Sequence, residues 1–311
     1  MRQIQETTAQ AGRRPVPKEP LVSVLIVTRN RMTSLSSALR SLQGQDYPNI
    51  EIVVVDNAST DGTVEMVRRD FPRAVLLVED RNIGCPSARN LGIIKCGGEF
   101  IYLLDDDGAL EKDAISEAVK RAKSDPSLGV VLSVRKEADE TGVHLLPGQS
   151  PMYLASFVGC CALIRREALM QVGLFPDDFF RQAEEDDLAI RMLESGWYCF
   201  LEPRSVMHHG RSGIGRDQRE FDFFSIRNTT KTGLRIWPFP YNIARIVANA
   251  VHSIRIFVPA GDTGNLNRLA REFIKDLAQL HEKRKPVSVH TMRLFRRLQK
   301  HPSAIPPDQE R

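Results

Sequence analysis

The 311-residue sequence lacks several features that would assign it to a class at once. It has no uncharged apolar run of about eighteen residues or more, so we expect no membrane-spanning helix. Its five cysteines form no CxxC pair, which argues against a disulfide framework and against a zinc site, and indicates reduced, mostly structural thiols. The segment Met1–Pro20 lacks the apolar core of a secretory signal, so we expect a cytoplasmic protein.

Two nucleotide-binding signatures are also missing. No GxGxxG follows the first predicted strand, which weakens a dinucleotide dehydrogenase, and no GxxxxGK[ST] is present, which excludes a P-loop protein. The net charge of +4 is too small to indicate nucleic acid as a partner. From Asn265 onward, however, eleven Lys/Arg face five Asp/Glu. This excess favours an anionic membrane surface or an acidic partner, with a solvated helical face as the plain alternative.

What is present is an alternation of strand-like and helix-like segments. Helical spacing of apolar residues separates four nearly continuous apolar runs, and such runs are typical of strands covered on both faces. The runs are Val22–Val27, Glu51–Val55, Ala74–Val78 and Phe100–Leu104. The sequence therefore predicts an α/β fold with a mixed, mostly parallel, Rossmann-like sheet flanked by helices.

Composition also suggests how the chain is divided. We predict a flexible leader over residues 1–20, an α/β domain over 21–230 and a helical extension over 231–311. Lys136–Met152 is polar, and we expect a loop over the site there. In the extension, Asn242–Val258 has an apolar stripe that suits either a membrane-interface helix or a face packed on the protein itself, and Asn265–Glu282 is charged and amphipathic.

Three consecutive carboxylates, Asp105, Asp106 and Asp107, end the fourth apolar run. Alternate residues of an extended chain point the same way, so Asp105 and Asp107 can share one ion while Asp106 faces elsewhere. Mg²⁺ and Mn²⁺ prefer carboxylate oxygens, and substrate phosphates often complete their coordination. An acidic turn with a helix cap is the alternative for this tripeptide.

Polar residues also follow the other three strands, and ligands of open α/β sheets bind at that edge. Thr28 and Asn30 follow the first strand, and Asp56 ends the second, where a carboxylate can accept a nucleobase N–H or simply form a turn. After the third strand, Asn82 and Gly84 precede a helix whose Arg89 is placed to meet phosphate oxygens or to serve as a surface charge. Together with Asp105 and Asp106, these are the candidate residues for binding a nucleotide ligand.

At this point the chain resembles the inverting family 2 glycosyltransferases with the GT-A fold, the Rossmann-like fold of nucleotide-diphospho-sugar transferases. The motifs that carry the likeness span roughly residues 22 to 230, and in combination they are similar to the rhamnosyltransferase and galactofuranosyltransferase branch. They are Val24–Asn30, Val55–Thr63, Asn82–Gly84, Ala88–Gly92, Leu104–Asp107, Gly173–Phe180, Glu184–Arg191, Gly196–Trp197 and His208–His209.

The resemblance implies roles for the matched positions. Asp56 would contact the base of a nucleotide-sugar donor, with Thr28 and Asn30 lining the same pocket. Asp105 and Asp107 would hold Mn²⁺ or Mg²⁺ on the diphosphate. His208 would complete the metal site, with His209 as its close rival.

The general base is the position where this sequence departs from the family pattern. Relatives usually show Glu-Asp-x-Asp-Leu, whereas this chain reads Glu184-Glu185-Asp186-Asp187-Leu188. Glu185 inherits the position of the base, and a glutamate can accept a proton as an aspartate does. Asp186 remains the second candidate.

Three functions follow from these observations. The first is a metal-dependent inverting glycosyltransferase of bacterial polysaccharide or cell-wall synthesis that acts on a glycan or polyprenyl-linked acceptor. It would sit in the cytoplasm or on the inner face of the membrane, and its long C-terminal helices could form a homodimer. The second is a nucleotide-sugar-binding protein without turnover, suggested by Glu185. The third, a nucleotidyltransferase, is disfavoured because no Gly-rich phosphate loop with Arg and Lys follows the first strand.

Overall fold

The computed structural model of this protein describes residues 19–139, 142–145, 150–210, 217–279 and 284–309. The predicted leader therefore lies almost wholly outside the described residues. The five cysteines are free, and four of them are buried.

The first half of the chain forms the parallel part of the sheet. Its strands lie in the spatial order β3-β2-β1-β4, and helices connect them. The elements are β1 (Val22–Thr28), α1 (Met32–Gln43), β2 (Ile50–Asp56), α2 (Thr63–Asp70), β3 (Val75–Val78), α3 (Cys85–Lys95) and β4 (Phe100–Asp105). The four strand predictions are confirmed. The inner strands β1 and β4 are covered on both faces, as their apolar runs indicated, whereas β3 lies at the edge of the sheet and exposes Val75 and Val78.

The second half of the sheet mixes parallel and antiparallel pairs. From β4 the spatial order continues β9-β6-β10-β5, with β7 beside β6 and β8 beside β10. The strands are β5 (Gly108–Leu110), β6 (Leu128–Asp139), β7 (Gly142–Leu145), β8 (Met152–Leu154), β9 (Cys161–Arg165) and β10 (Tyr198–Gly210). The predicted loop over Lys136–Met152 is wrong for its first part, because β6 continues through it and pairs with β7 and β10.

Helices flank this sheet and make up the C-terminal region, which confirms the mixed α/β fold. They are α4 (Ala114–Ser124), α5 (Arg166–Val172), α6 (Glu184–Glu194), α7 (Gln218–Ile236), α8 (Tyr241–Phe257), α9 (Thr263–Ala278) and α10 (Val289–Lys300). Position 230, the predicted domain boundary, lies within α7. None of the helices in the described ranges combines the length and the apolar character needed to cross a bilayer.

Strand register brings the polar loops to one edge of the sheet. Thr28 at the end of β1 pairs with Asp56 at the end of β2, and Val27 pairs with Asp105 of β4. On the far side, His209 of β10 lies opposite Gly108 of β5, directly after the three aspartates. The candidate residues of four separate segments therefore lie together at the carboxyl ends of the strands.

Two apolar clusters hold the structure together. The large one fills the sheet and its flanking helices, and it includes Met292, Phe295 and Leu298 of α10. A small one joins α7, α8 and α9 around Phe223, Ile226 and Phe257. The last helix is thus part of the main core, whereas α8 and α9 attach through the small cluster and polar contacts.

Candidate active site

Two aspartates and one histidine form a cluster at the end of β4. One ligand atom each from Asp105, Asp107 and His209 lies within 4.8 Å of the others. The Nε2 atom of His209 is 3.3 Å from Asp107 Oδ1 and 3.9 Å from Asp105 Oδ2. Two carboxylates and an imidazole are donors that suit Mn²⁺, and the carboxylates also suit Mg²⁺. The chemistry and spacing of this cluster fit a divalent cation.

The prediction of His208 as the metal-site histidine needs correction. Adjacent residues of a strand point to opposite faces, so only one of the two histidines of β10 can face the aspartates. His208 turns the other way, and its Nε2 lies 3.0 Å from Glu111 Oε1, a carboxylate also bound by Lys136. His209, the rival named from the sequence, is buried beside Asp105 and Asp107.

The charges around the cluster alter its titration. Burial alone would raise the pKa of Asp105, but contact with His209 and the charge of Arg89 outweigh it, so that this pKa is lowered. Contact with Asp105 raises the pKa of His209, although burial opposes the shift. The cluster is therefore organised for a positive charge among its carboxylates.

Asp106 faces away from the cluster, as the strand alternation predicted. It accepts a hydrogen bond of 2.8 Å from the Thr28 hydroxyl, and burial raises its pKa to about 7. Arg31, which the sequence analysis did not single out, donates to Asp107 at 2.9 Å. Thr28 thus supports the Asp106 carboxylate, and Arg31 supplies a positive charge at the outer side of the aspartates.

Arg89 is buried and connects the aspartates with the acidic start of α6. Its Nη1 donates to Glu184 at 3.1 Å and to Glu185 at 3.2 Å, while its Nη2 donates to the Gly159 carbonyl and lies 3.6 Å from Asp105 Oδ1. The prediction that Arg89 meets phosphate oxygens is not supported by this geometry, because the carboxylates and a carbonyl occupy its guanidinium. Arg89 holds two parts of the site in register instead.

Glu185 is the acid of α6 that lies inside the site. Its Oε1 accepts from Arg89 and, at 3.0 Å, from the Gly159 amide. Glu184 beside it is buried, and this burial together with the charge of Glu185 raises the pKa of Glu184 to about 7. Asp186 interacts electrostatically with Cys199 and Arg245, and within the described ranges no hydrogen bond joins it to Arg89. The geometry favours Glu185 over Asp186 as the base.

Asp56 offers a buried acceptor at the end of β2. Its Oδ2 accepts from the Ser59 amide at 2.9 Å, whereas its buried Oδ1 has no hydrogen-bond partner in the described part of the chain. A buried acceptor normally finds a donor, so this oxygen is available to an N–H of a ligand. Asn30 reaches across from β1 and accepts from the Thr60 amide at 2.7 Å, which fixes the loop beside Asp56.

Asn82 and Gly84 form the loop that precedes α3. Asn82 Oδ1 accepts from Asn57 Nδ2 and from the Gly84 amide, which fixes the loop. Gly84 has a φ of +85°, and a Cβ there would lie 2.5 Å from the Phe180 carbonyl oxygen. The structure shows both residues shaping the loop, and their predicted contact with the donor remains a prediction.

The sequence analysis missed three residues of this site. Arg31 and Asn57 stand inside motifs quoted for the resemblance or next to them, so their positions carried a signal that was not used. Gly159 carried none, because its role rests on its backbone: it bonds to both Arg89 and Glu185, and a Cβ would lie 2.5 Å from the guanidinium. Only the fold, which places the segment before β9 against Arg89 of α3 and Glu185 of α6, makes this contact visible.

A mixed sheet with a carboxylate and histidine cluster that suits a cation, and with an acid nearby at its carboxyl edge, is the arrangement expected of a GT-A sugar transferase. Residues 23–173 match the family model described as Glycosyl transferase family 2. This region is just under half of the chain, and together with relatives that are themselves glycosyltransferases the match shows a glycosyltransferase. The matched region contains every predicted site residue from Thr28 to Asp107.

Comparison with known proteins agrees with this assignment. The N-acetylglucosaminyl-diphospho-decaprenol L-rhamnosyltransferase of Mycobacterium tuberculosis is 26% identical in an alignment of 243 residues, and the alignment covers 63% of this chain and 78% of the relative. The resemblance to the family is thus confirmed, and a rhamnosyltransferase stands among the relatives.

Solved structures show the same fold at low sequence identity. A 1–349 fragment of TarS from S. aureus is 17% identical with a TM-score of 0.61, and the match covers 90% of this chain and 87% of that one. The mannosyltransferase PcManGT of Pyrobaculum calidifontis, solved with GDP-Man and Mn²⁺, is 22% identical with a TM-score of 0.56, covering 90% and 79%. Both confirm the GT-A fold.

Proposed function

We propose that the protein is a metal-dependent inverting glycosyltransferase that uses a nucleoside diphosphate sugar as its donor. The observation that carries the proposal is the pairing of two groups by Arg89. On one side lie Asp105, Asp107 and His209, and on the other lies Glu185. A direct displacement at the sugar needs a cation site for the departing diphosphate and a base for the attacking hydroxyl. Arg89 contacts both groups.

The residues divide the work of donor binding. Asp56 presents its free Oδ1 to a ring N–H of the base, and Asn30, Asn82 and Gly84 shape the surrounding loops. Asp105, Asp107 and His209 would hold Mn²⁺ or Mg²⁺ beside the diphosphate. When bound, such a cation offsets the negative charge that grows on the departing diphosphate.

Glu185 acts on the acceptor. Its carboxylate removes the proton from the acceptor hydroxyl as the oxygen attacks the anomeric carbon, and the attack from the opposite face inverts that carbon. Arg89 and the Gly159 amide both bind Oε1 and so orient the carboxylate, leaving Oε2 for the hydroxyl. Orientation of a reacting group to a fraction of an ångström is a large part of catalysis by positioning.

The acceptor we propose is a hydroxyl of a growing polysaccharide or of a lipid-linked glycan. The Mycobacterium tuberculosis relative is named for a decaprenol-linked substrate, which supports a lipid-linked acceptor. The reaction would then take place at the cytoplasmic face of a membrane. A homodimer built on the C-terminal helices stays a prediction.

The test of this function is the stereochemistry of the product. Purified protein is incubated with UDP, dTDP and GDP sugars, Mn²⁺ or Mg²⁺, and saccharide or polyprenyl-diphosphate acceptors, and the anomeric proton of the product is measured by NMR. We expect inversion, and no product with Asp107→Ala or with a chelator. A product of retained configuration, or undiminished turnover without a divalent cation, would contradict the proposal.

A further inference from the structure

Helix α8 buries two polar residues, Asn249 and Ser253, on the side that packs on the protein. Asn249, Ser253 and Phe257 face the protein and are buried. The Nδ2 of Asn249 donates to the hydroxyls of Thr229 and Thr230 on α7, each at 2.9 Å. A helix on the surface of a globular protein normally turns its apolar stripe to the core, so this orientation is the reverse of the common one.

The apolar stripe of α8 therefore faces outward. Its members recur at spacings of four, four, three and four residues, which places them within about 80° of each other around the helix. They are Ile243 (49% exposed), Val247 (56%), Val251 (42%), Ile254 (55%) and the residue that caps the end of the helix, Val258 (56%). The sequence left two alternatives for this stripe, a membrane-interface helix or a face packed on the protein. The helix does pack on the protein, but through its other side.

Positive charge accompanies this stripe. Tyr241–Val258 contains Arg245, His252 and Arg255 and no Asp or Glu, and the chain beyond Asn265 has an excess of basic residues. Arg255 is exposed, and the helical rotation puts it about 40° from Val251, at the edge of the stripe; His252 is also exposed but lies farther round the helix, about 100° from Val251. An apolar face with a basic border is complementary to an anionic lipid surface, where acyl chains lie below phosphate groups.

A second copy of this chain is a poorer occupant. A two-fold contact through the stripe would bring the same basic border of both copies together, and no acidic side chain of α8 is available to compensate it. A bilayer satisfies both the apolar face and the basic border. At about 1.5 Å per residue, the helix is about 25 Å long and suits a position in the plane of the interface.

We propose that α8 docks this protein on an anionic lipid bilayer, with the stripe Ile243, Val247, Val251, Ile254 and Val258 in contact with the acyl region. The proposal goes beyond sugar transfer, because membrane binding can be measured without donor or acceptor. Polar contacts link the docked region to the site: on α7, Arg235 and Lys231 bind Asp178, and Asn228 binds the carbonyls of Arg181 and Gln182, just before α6.

The experiment is vesicle flotation with the full chain. Vesicles of phosphatidylcholine are compared with vesicles containing phosphatidylglycerol, for wild type and for the double variant Val247→Asp, Ile254→Asp. The matched control is Ile94→Asp, Met170→Asp, which introduces the same charges at exposed apolar positions of α3 and α5. Thermal melting and sedimentation velocity are measured for all three, and variants are used only where the melting temperature stays near that of wild type.

We expect wild type and control to float with the anionic vesicles and the α8 variant to lose about tenfold or more in binding. Absence of flotation by wild type would overturn the proposal, as would equal loss in the control. Equal binding to neutral vesicles would refute the charge complementarity on which it rests. A concentration-dependent dimer that the α8 variant abolishes would show that a second copy covers the stripe. Each result can be obtained whether or not the transferase assay succeeds.

Discussion

The active site and helix α8 depart from the usual distribution of residues in opposite ways. The site buries charge: Arg89 and Glu184 are less than a tenth exposed. Helix α8 exposes apolar side chains and buries an asparagine and a serine. Each arrangement costs free energy in the isolated protein, because a buried charge loses its hydration and an exposed apolar group orders water. Both departures accord with the two proposals made above, in which the active site binds a charged donor and α8 binds a lipid surface.

The largest expected effect comes from the base. Glu185→Gln keeps the hydrogen bonds to Arg89 and Gly159 available but removes the proton acceptor. We expect kcat to fall by about a thousandfold while donor affinity is retained. The measurement is steady-state transfer together with donor titration. Asp186→Asn is the matched control and should keep most of the activity; if it were the more damaging change, the assignment of the base would be wrong.

The buried cation Arg89 should matter next. Arg89→Met leaves Glu184, Glu185 and Asp105 without their shared partner, and we expect the free energy of unfolding to fall by about 3 kcal/mol. Urea denaturation checks this value. Arg89→Lys keeps the charge but loses the fork that reaches both sides, so we expect a smaller loss of stability and a lower kcat. A stability change near zero for Arg89→Met would show that the ion pairs are not coupled to folding.

The two histidines allow a sharper comparison within the site. We expect His209→Ala to weaken Mn²⁺ binding by about tenfold or more, since it removes one of three ligands. His208→Ala removes only the contact with Glu111 and should leave the affinity for Mn²⁺ near that of wild type. Isothermal titration in the presence of the donor nucleotide separates the two. Equal losses of Mn²⁺ affinity, or a larger loss for His208→Ala, would indicate His208 as the metal-site histidine.

The smallest expected effect concerns Asp178, whose ion pairs with α7 connect the region of α8 with the active site. Burial would raise the pKa of Asp178, but Arg235 and Lys231 lower it well below its usual range. A depressed folded pKa means that this stabilisation is complete above the unfolded pKa, about 4, and is lost as the pH falls below it. We expect Asp178→Asn to cost about 1 to 2 kcal/mol at neutral pH and to flatten the acid part of the stability profile. Thermal melting between pH 7 and pH 3 tests this; an unchanged acid slope would contradict the link.

The parallel half of the sheet was predictable from the sequence because its strands are nearly continuous apolar runs, including the edge strand β3, although Val75 and Val78 of β3 are exposed. Their apolar runs end within one or two residues of the observed strands, and parallel pairing then places Thr28, Asp56 and Asp105 at one edge. The second half was harder to predict. Strand β10 has a register shift between Glu202 and Val206, so counting alternate residues from the apolar segment before it does not tell which histidine faces the aspartates.

Contacts between distant segments set the remaining limits. Arg89 donates hydrogen bonds to Glu184, Glu185 and Gly159. These contacts depend on how α3, α6 and the segment before β9 pack together, and no local sequence pattern encodes them. The orientation of α8 is of the same kind. Its periodicity showed an apolar stripe, but only its packing through Asn249 and Phe257 shows which way the stripe faces. The sequence thus predicted the elements and the edge of the sheet where the candidate residues meet, while the contacts between those residues required the fold.

The most direct test of the central claim is a thermal-shift panel of UDP, dTDP and GDP sugars with Mn²⁺ or Mg²⁺, on wild type and Asp107→Ala. A ligand at a hundred times its Kd stabilises the folded state by about 2.7 kcal/mol, which is a measurable shift in Tm. The account predicts stabilisation by one nucleotide family that requires the cation and disappears in Asp107→Ala. Stabilisation that is independent of the cation and unchanged in Asp107→Ala, or no stabilisation by any donor, would contradict it.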